Sequence, residues 1–394
     1  LQKTIEALGN RDDWAVAVAD AILRHAVAVG ASDVHVQPRS TGLAVRGRVD
    51  GRLCPFVDLP SERQDHLLAR FKVMARLPAY VQNKPQDGRV DWRPEPGAVP
   101  VMVRVSFLPT ILGESLVLRF PHDSKGPETL EALGMPPAVL EGVQALLQAM
   151  EGAVLLTGSS GSGKTTTLYA MLRRLNDLRP DRMNLVTIED PVERVLGFAS
   201  QVQVNEAQGL TFEETLRATL RHDPNVLLIG EIRDPATARI AIQAAMTGHL
   251  LLSTLHAGRA SWVISRLLSM GIEPYLVGSA LSGAVAQRLV RRLCPDCREY
   301  DSVGGTWRSR GCERCRFTGH RGRVGLFELL TITEPIREII LASRTTQAVV
   351  AEARTRQAVT LESEGQRLMM GGMISRLEYE EVLSPLETLE GLER

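Results

Sequence analysis

One stretch restricts this chain more than any other. Gly158-Ser159-Ser160-Gly161-Ser162-Gly163-Lys164-Thr165 fits G-x-x-x-x-G-K-[ST] directly after the apolar run Ala153 to Thr157 and before a helical run, Thr166 to Arg174. A strand that passes through such a loop into a helix turns its backbone N–H groups into a small concavity at the helix N-terminus. Lys164 reaches the outer phosphates there, and the Thr165 hydroxyl is a ligand for magnesium. Residues Gly158 through Thr166 are therefore the expected cradle of a nucleoside triphosphate, ATP with Mg2+. A plain glycine-rich turn is the alternative, and the match on both flanks disfavours it.

The rest of the chain is organised around that loop. Apolar strands at Leu185 to Ile188, Val226 to Ile229 and Leu250 to Leu255 alternate with helical stretches, the rhythm of a parallel sheet covered on both faces. The preceding block reads differently. Asp12 to Gly30 and Ser61 to Arg76 have helical spacing, while Asp33 to Gln37, Leu43 to Val49, Val101 to Phe107 and Leu116 to Phe120 alternate as strands, with a turn at Asp50-Gly51. This gives an α+β domain over 1–120, a proline- and glycine-rich linker over 121–137, and an α/β domain over 138–394 with a helical region at 331–394. A length of 394 residues with 44% apolar and 23% charged side chains is ample for two such cores.

Composition also excludes several functions. Lysine plus arginine and aspartate plus glutamate each total 46, so there is no cationic excess for a phosphate backbone, and aromatics are 4%, too few for base-stacking platforms. No nucleic-acid partner is expected. No apolar run is long enough to span a bilayer. Position 1 is leucine, and no charged-then-apolar segment follows, so a trimmed start and no export are expected.

Hydrolysis also needs a group that orients the attacking water. Val226 to Glu231 is an apolar strand that delivers a carboxylate at its end, where open α/β sheets bind ligands. Gly230 stands where an ordinary phosphate-loop enzyme has aspartate. Glu231 is therefore expected to position the water, with magnesium held by Thr165, phosphates and waters; a solvated strand-end glutamate is the alternative. Glu189, in Thr187 to Glu193, is placed to reach the metal's water shell, although Asp190 before Pro191 also suits a turn or cap. His249 and His256 flank Leu250 to Leu255, and taken alone they read as structural hydrogen-bonding groups.

Cys294-x-x-Cys297 and Cys312-x-x-Cys315 form a second constellation, over 294–315. Two such pairs suit one tetrahedral Zn2+, and four protein ligands leave no open position for chemistry. Two disulfides are the alternative, disfavoured in a reducing compartment. Cys54 is left over.

Together the motifs resemble the secretion and pilus-assembly ATPases of type II secretion and type IV pilus machines. The resemblance is carried by Ala31 to Pro38, Pro85 to Val90, Arg104 to Pro109, Gly113 to Arg119, the phosphate loop, Thr187 to Glu193, Leu220 to Asp234, Thr247 to Ala257, the four cysteines and Arg321 to Gly325. It implies a PAS-like domain followed by a RecA-like one, a homohexamer, and a cytoplasmic motor held at the inner membrane by platform and docking proteins. The implied work is pseudopilus assembly in type II secretion, with type IV pilus extension as the alternative. Less fitting are a nucleic-acid motor and a nucleotide-regulated scaffold without turnover. The resemblance gives Glu189, His249 and His256 catalytic roles. It also makes Arg104, Arg119, Arg217, Arg221, Arg233 and Arg323 phosphate-contacting residues, a task suited to a planar cation that never deprotonates. Two departures stand out: Ser159-Ser160 where the family usually has Pro-Thr, and Ala257-Gly258-Arg259 where it commonly has Thr-Asn-Asp. An additional N-terminal docking domain, found in many members, is expected to be absent or removed.

Overall fold

The computed structural model describes residues 1–9, 11–95, 97–120, 126–342, 346–355 and 359–383. The chain forms two compact units, Leu1–Ser124 and Lys125–Arg394.

Unit 1 begins with helices α1 (Gln2–Leu8) and α2 (Trp14–Val29). Strands β1 (Ala31–Arg39), β2 (Gly42–Val49) and β3 (Arg52–Leu59) follow, then α3 (Gln64–Met74), then β4 (Gln86–Trp92), β5 (Val101–Thr110) and β6 (Gly113–Arg119). The six strands form one antiparallel sheet in the order β3-β2-β1-β6-β5-β4. Asp50 and Gly51 make the expected turn between β2 and β3, both with positive φ and with Val49 opposite Arg52, the two-residue hairpin geometry that matches strand twist. One face of the sheet packs on α2 and α3. Val34, Val36, Val103, Val105, Phe107, Leu116 and Leu118 alternate onto it against Val18, Ile22, Leu67 and Phe71.

Within this core lies an ion pair. Lys72 is 1% exposed, lies over the Phe107 ring, and donates to Glu114 at 2.7 Å and to the Val81 carbonyl.

Unit 2 contains α4 (Pro137–Ala149), β7 (Gly152–Thr157), α5 (Lys164–Leu178), β8 (Leu185–Glu189), β9 (Ser200–Gln203), α6 (Phe212–Thr219), β10 (Val226–Ile229), α7 (Pro235–Met246) and β11 (Leu250–Leu255). It continues through α8 (Trp262–Ser269), α9 (Pro274–Ala280), β12 (Leu281–Leu293), the small hairpin β13 (Arg298–Asp301) and β14 (Thr306–Ser309), and β15 (His320–Thr331). Helices α10 (Glu334–Leu341), α11 (Thr346–Thr355) and α12 (Leu361–Met370) follow. The seven-stranded sheet runs β15-β12-β7-β11-β10-β8-β9, parallel except for β15. Every residue of β7, β8, β10 and β11 is buried. Alternate residues serve opposite faces: Ala153, Leu155, Leu227 and Ile229 pack with α7, α8 and α9, while Val154, Leu156, Val226 and Leu228 pack with α4 and α5. Both-sided burial explains why these strands read as continuous apolar runs.

The linker expected at 121–137 divides in two. Residues 121–125 lie outside the described residues. Of the remainder, Leu130, Leu133 and Met135 are buried against α4, so this segment belongs to the core of unit 2. No described helix is long and apolar enough to cross a membrane.

Replacing Lys72 by methionine should destabilise unit 1 by about 3–5 kcal/mol, because it strands a buried carboxylate; Lys72→Met with Glu114→Leu should recover most of that loss. Calorimetric unfolding of the two variants beside the parent chain measures both effects.

Candidate functional site

The phosphate loop takes its shape from what lies behind it. Gly158 has φ 154°, and a Cβ there would stand 2.3 Å from the Gln287 carbonyl and 2.5 Å from Ser162 Oγ. A Cβ at Gly163 would meet Gln287 Nε2 at 2.8 Å. Only glycine lets the loop lie this close to β12. Gln287 is itself fixed by Thr167, whose hydroxyl donates to its Oε1 at 2.7 Å inside the core. On the other side, the Thr157 hydroxyl donates to the Ala257 carbonyl and accepts from the Ala257 N–H at 2.8 Å, tying the end of β7 to the segment after His256.

Inside the loop the polar groups are poised for an anion. Lys164 Nζ donates to the carbonyls of Gly158 at 2.9 Å and Ser159 at 3.0 Å, folding over its own loop. Ser162 Oγ is buried without a hydrogen-bond partner among the described residues. Burial lowers Lys164 below the usual ammonium range and Arg288 adds to this, while Glu231 opposes it. Thr165 is exposed on the first turn of α5, beside half-buried Thr166, where its hydroxyl is available to a cation. An orphaned hydroxyl, a lysine satisfied only by loop carbonyls and a cradle that any Cβ would fill fit a nucleotide's phosphates, with Thr165 to hold magnesium.

Two neighbouring strand ends bring carboxylates alongside. Glu231 follows β10, its side chain 18% exposed, paired through one oxygen with Arg233 and facing His256 Nε2 through the other at 3.4 Å. Glu189 ends β8 and is almost fully buried. Tyr169 donates to one of its oxygens, Thr187 at 2.6 Å and Gln201 at 3.1 Å to the other. Burial, then the Glu189 bond, holds Tyr169 above the usual phenol range, so it remains the donor. Gly230 lies against Glu189: a Cβ there would be 3.5 Å from Glu189 Cα and 3.9 Å from its Cγ. An aspartate at 230 would set a second carboxylate beside a buried one, which accounts for glycine at that position.

The remaining predicted residues do not join this cluster. His249 precedes β11 and His256 follows it, so seven residues of extended chain, about 23 Å, separate them. His249 Nδ1 lies 3.0 Å from the Ala244 carbonyl, which can only accept, so Nδ1 is the donor in that contact. Ala244 and Thr247 also line a pocket of about 390 Å3 with Arg217 and Arg221. Arg217 pairs with Glu213 at 2.9 Å, and Arg221 donates to the Arg217 carbonyl at 3.0 Å. This group occupies the N-terminal ends of the parallel strands, opposite the end that carries the phosphate loop. Arg323 is exposed on β15 opposite Arg291. In unit 1, Arg119 donates to Asp33 at 2.8 Å, and Arg104 is its cross-strand neighbour.

Sequence reasoning missed Gln287, Arg288, Thr157, Tyr169 and Gln201. Arg288 is largely buried, donates to the Gly258 carbonyl at 2.7 Å, and reaches within 2.9 Å of where a Gly158 Cβ would be. Arg259, one of the departures after His256, is 1% exposed and pairs with Glu328 and Glu362. It thus serves the core between β15 and α12. The surviving signal for Gln287 and Arg288 was a polar pair inside an apolar stretch.

The four cysteines come together as a group that could hold a metal ion. All four Sγ atoms lie within 4.8 Å of one another, with Cys294 and Cys312 at 3.9 Å, Cys297 and Cys315 at 3.8 Å, and Cys312 and Cys315 at 3.7 Å. Zn–S bonds of about 2.3 Å in a tetrahedron give S···S edges of about 3.8 Å. A disulfide would need about 2.05 Å. The N–H groups of Cys312 and Gly319 donate to Cys315 Sγ, and although burial opposes ionisation these bonds draw the thiol down to about 6. The module leans on the segment after α12: Leu293 N–H donates to Met373, Arg298 to Gly372 and Trp307 to Met370 carbonyls.

The comparisons agree with this geometry. A family model described as "Type II/IV secretion system protein" matches residues 10–384. The chain is 42% identical over 357 residues to the type II secretion system protein HxcR of Pseudomonas aeruginosa, covering 91% of this chain and 75% of that one. It is 38% identical over 389 residues to the type IV pilus assembly ATPase TfpB of Acinetobacter baylyi, covering 94% and 65%. The X-ray structure of the Legionella pneumophila ATPase DotB shares its fold, with a TM-score of 0.70 at 23% identity over 93% of this chain and 95% of that one.

Elemental analysis should find about one zinc per chain, and chelation or Cys294→Ser should lower the unfolding temperature before it alters phosphate-loop chemistry. Freshly purified protein with four free thiols and no metal would rule the centre out.

Proposed function

The chain belongs to the type II/IV secretion system protein family, and from that premise we propose that it is an ATPase that drives secretion or pilus assembly. One observation carries the chemistry: a lysine-bearing phosphate cradle with Glu231 at an adjoining strand end, its carboxylate favouring the charged form of Lys164. ATP is the substrate. Lys164, the loop N–H groups and Ser162 hold its phosphates, and Thr165 holds Mg2+, which when bound neutralises the charge between the outer phosphates. Glu231 orients the attacking water. Its oxygens are engaged by Arg233 and His256. A terminal phosphate that draws Arg233 to itself frees an oxygen of Glu231 for that water, so binding primes hydrolysis. Glu189, with Tyr169, Thr187 and Gln201, fixes the negative charge at the next strand end and reaches the metal's water shell through bound water.

The finer reading is a cytoplasmic homohexamer, held at the inner membrane by platform and docking proteins and working on a pseudopilus, with type IV pilus extension as the second assignment. What supports a ring is that Arg217, Arg221 and His249 share the end of the parallel strands remote from their own phosphate loop, where they suit a neighbouring copy's nucleotide. Arg104 and Arg119 are assigned to the terminal phosphate, and Arg323 to the same anion. In this reading unit 1 is PAS-like and unit 2 RecA-like, in keeping with an antiparallel sheet backed by helices and a parallel sheet covered on both faces. The cysteine centre carries zinc in a structural role.

Lys164→Ala should abolish turnover and weaken ATP binding. Glu231→Gln should keep ATP affinity within a few-fold and lose about a hundredfold or more of kcat. Phosphate release measured beside nucleotide titration separates the two, and normal turnover by Glu231→Gln would remove it from the water-positioning role.

A further inference from the structure

The segment that follows His256 is gripped from three strands. The Thr157 hydroxyl on β7 accepts from the Ala257 N–H at 2.8 Å, Arg288 on β12 donates to the Gly258 carbonyl at 2.7 Å, and Glu328 on β15 accepts from the Ala260 N–H at 2.8 Å. Ala257 and Gly258 bring no polar side chain of their own, and glycine adds backbone freedom, so the hold on this stretch comes from its neighbours. What it holds is His256, whose Nε2 stands 3.4 Å from Glu231.

Arg259 completes the grip from inside. It is the largest of the fully buried side chains and reaches two carboxylates. Its Nη1 lies 3.6 Å from Glu328, and its Nη2 donates to Glu362 in the first turn of α12. Glu328 uses its second oxygen to accept from the Leu361 N–H at 3.2 Å, so one buried carboxylate is bonded both to the segment after His256 and to the start of α12. Burial opposes ionisation of Glu362, and the Arg259 bond outweighs it, drawing the carboxyl below its usual range. Packing alone does not call for this arrangement. A buried ion pair commonly adds no more stability than apolar side chains of the same volume. What the charges do add is a fixed geometry among the elements that carry them: here the His256 segment, β15 and α12.

We propose that Arg259 is a positioning residue for ATP hydrolysis: by joining the His256 segment to Glu328 and to Glu362 of α12 it seats His256 on Glu231, and so makes turnover depend on α12 being docked. Buried in the core, it acts through His256 and not on the phosphates. The assignment rests on the water-positioning role given to Glu231 above. Loss of the tie leaves nucleotide binding in place and slows hydrolysis, because Lys164 and the loop glycines are untouched.

Arg259→Met, Arg259→Lys and Glu362→Gln are made in the full chain and in a His256→Ala background, and turnover, ATPγS affinity and amide exchange across residues 256–260 are measured. Arg259→Met and Glu362→Gln should lower kcat about tenfold or more while ATPγS affinity stays within about threefold, and Arg259→Lys should recover part of the loss. In the His256→Ala background the same substitutions should change the residual kcat by less than about twofold, because the seat they maintain is already empty; a role confined to core packing gives equal losses in both backgrounds. If Arg259→Met does not fold, Glu362→Gln carries the test, since it leaves Glu328 with its cation. Exchange at 256–260 should quicken several-fold in Glu362→Gln whether or not nucleotide is hydrolysed. Parental kcat in Glu362→Gln, or equal losses in the two backgrounds, would overturn the assignment. Its failure is separable from that of the ATPase reading: a chain that hydrolyses ATP while these variants behave as the parent rejects the positioning role alone, and one that hydrolyses none while Glu362→Gln loosens the segment rejects the ATPase and keeps the seating of His256.

Discussion

The backbone of the phosphate loop rests directly on β12, and most of unit 2 follows from that contact. At Gly158 the distance from a Cβ position to the Gln287 carbonyl is 2.3 Å, so the curvature that points N–H groups at a phosphate is imposed by a neighbouring strand as well as by the loop's own glycines. β12 is held by β7 on one side and β15 on the other, and Gln287 is pinned from within by Thr167. The same strand ends at Cys294, and its last residue bonds to Met373 beyond α12. The cysteine centre is thus distant from the chemistry in sequence but continuous with it through one strand. The four-cysteine group thus closes the end of a strand whose middle backs the phosphate loop.

Much of this was legible from sequence because burial leaves a plain pattern. β7, β10 and β11 read as apolar runs since both faces of the sheet are covered, and their expected limits differ from the observed ones by no more than a residue. β12 was not legible. Gln287, Arg288, Arg291 and Arg292 interrupt it at a spacing that resembles a helix face, because its middle backs the phosphate loop and its last stretch meets Glu378. β3 and β4 were missed for a related reason: Pro55 interrupts one, Asp87, Gly88 and Arg89 weaken the other, and both owe their place to pairing with β2 and β5. In the site, the loop and the cysteines were identifiable from spacing. Glu189 was named without its partners, because Tyr169 and Gln201 come from separate elements and only the folded sheet brings them together.

The histidines and arginines show what a motif conceals. His249 and His256 are seven positions apart and look like one feature, yet a central strand lies between them and puts them at its opposite ends. Arg217 and Arg221 accompany the first, whereas Arg233 and Glu231 accompany the second. An unbroken stretch of sequence therefore furnishes two surfaces at opposite ends of one strand.

The cysteine module also bears on how such chains diversify. Its boundaries, Leu293 and His320, are register partners on β12 and β15, so everything between them is an excursion from a hairpin that is already closed. A hairpin of that kind can be bridged by a turn of a few residues. The module could enter or leave a lineage as a single insertion or deletion without shifting any strand of the sheet, making it a replaceable fitting on an otherwise fixed engine.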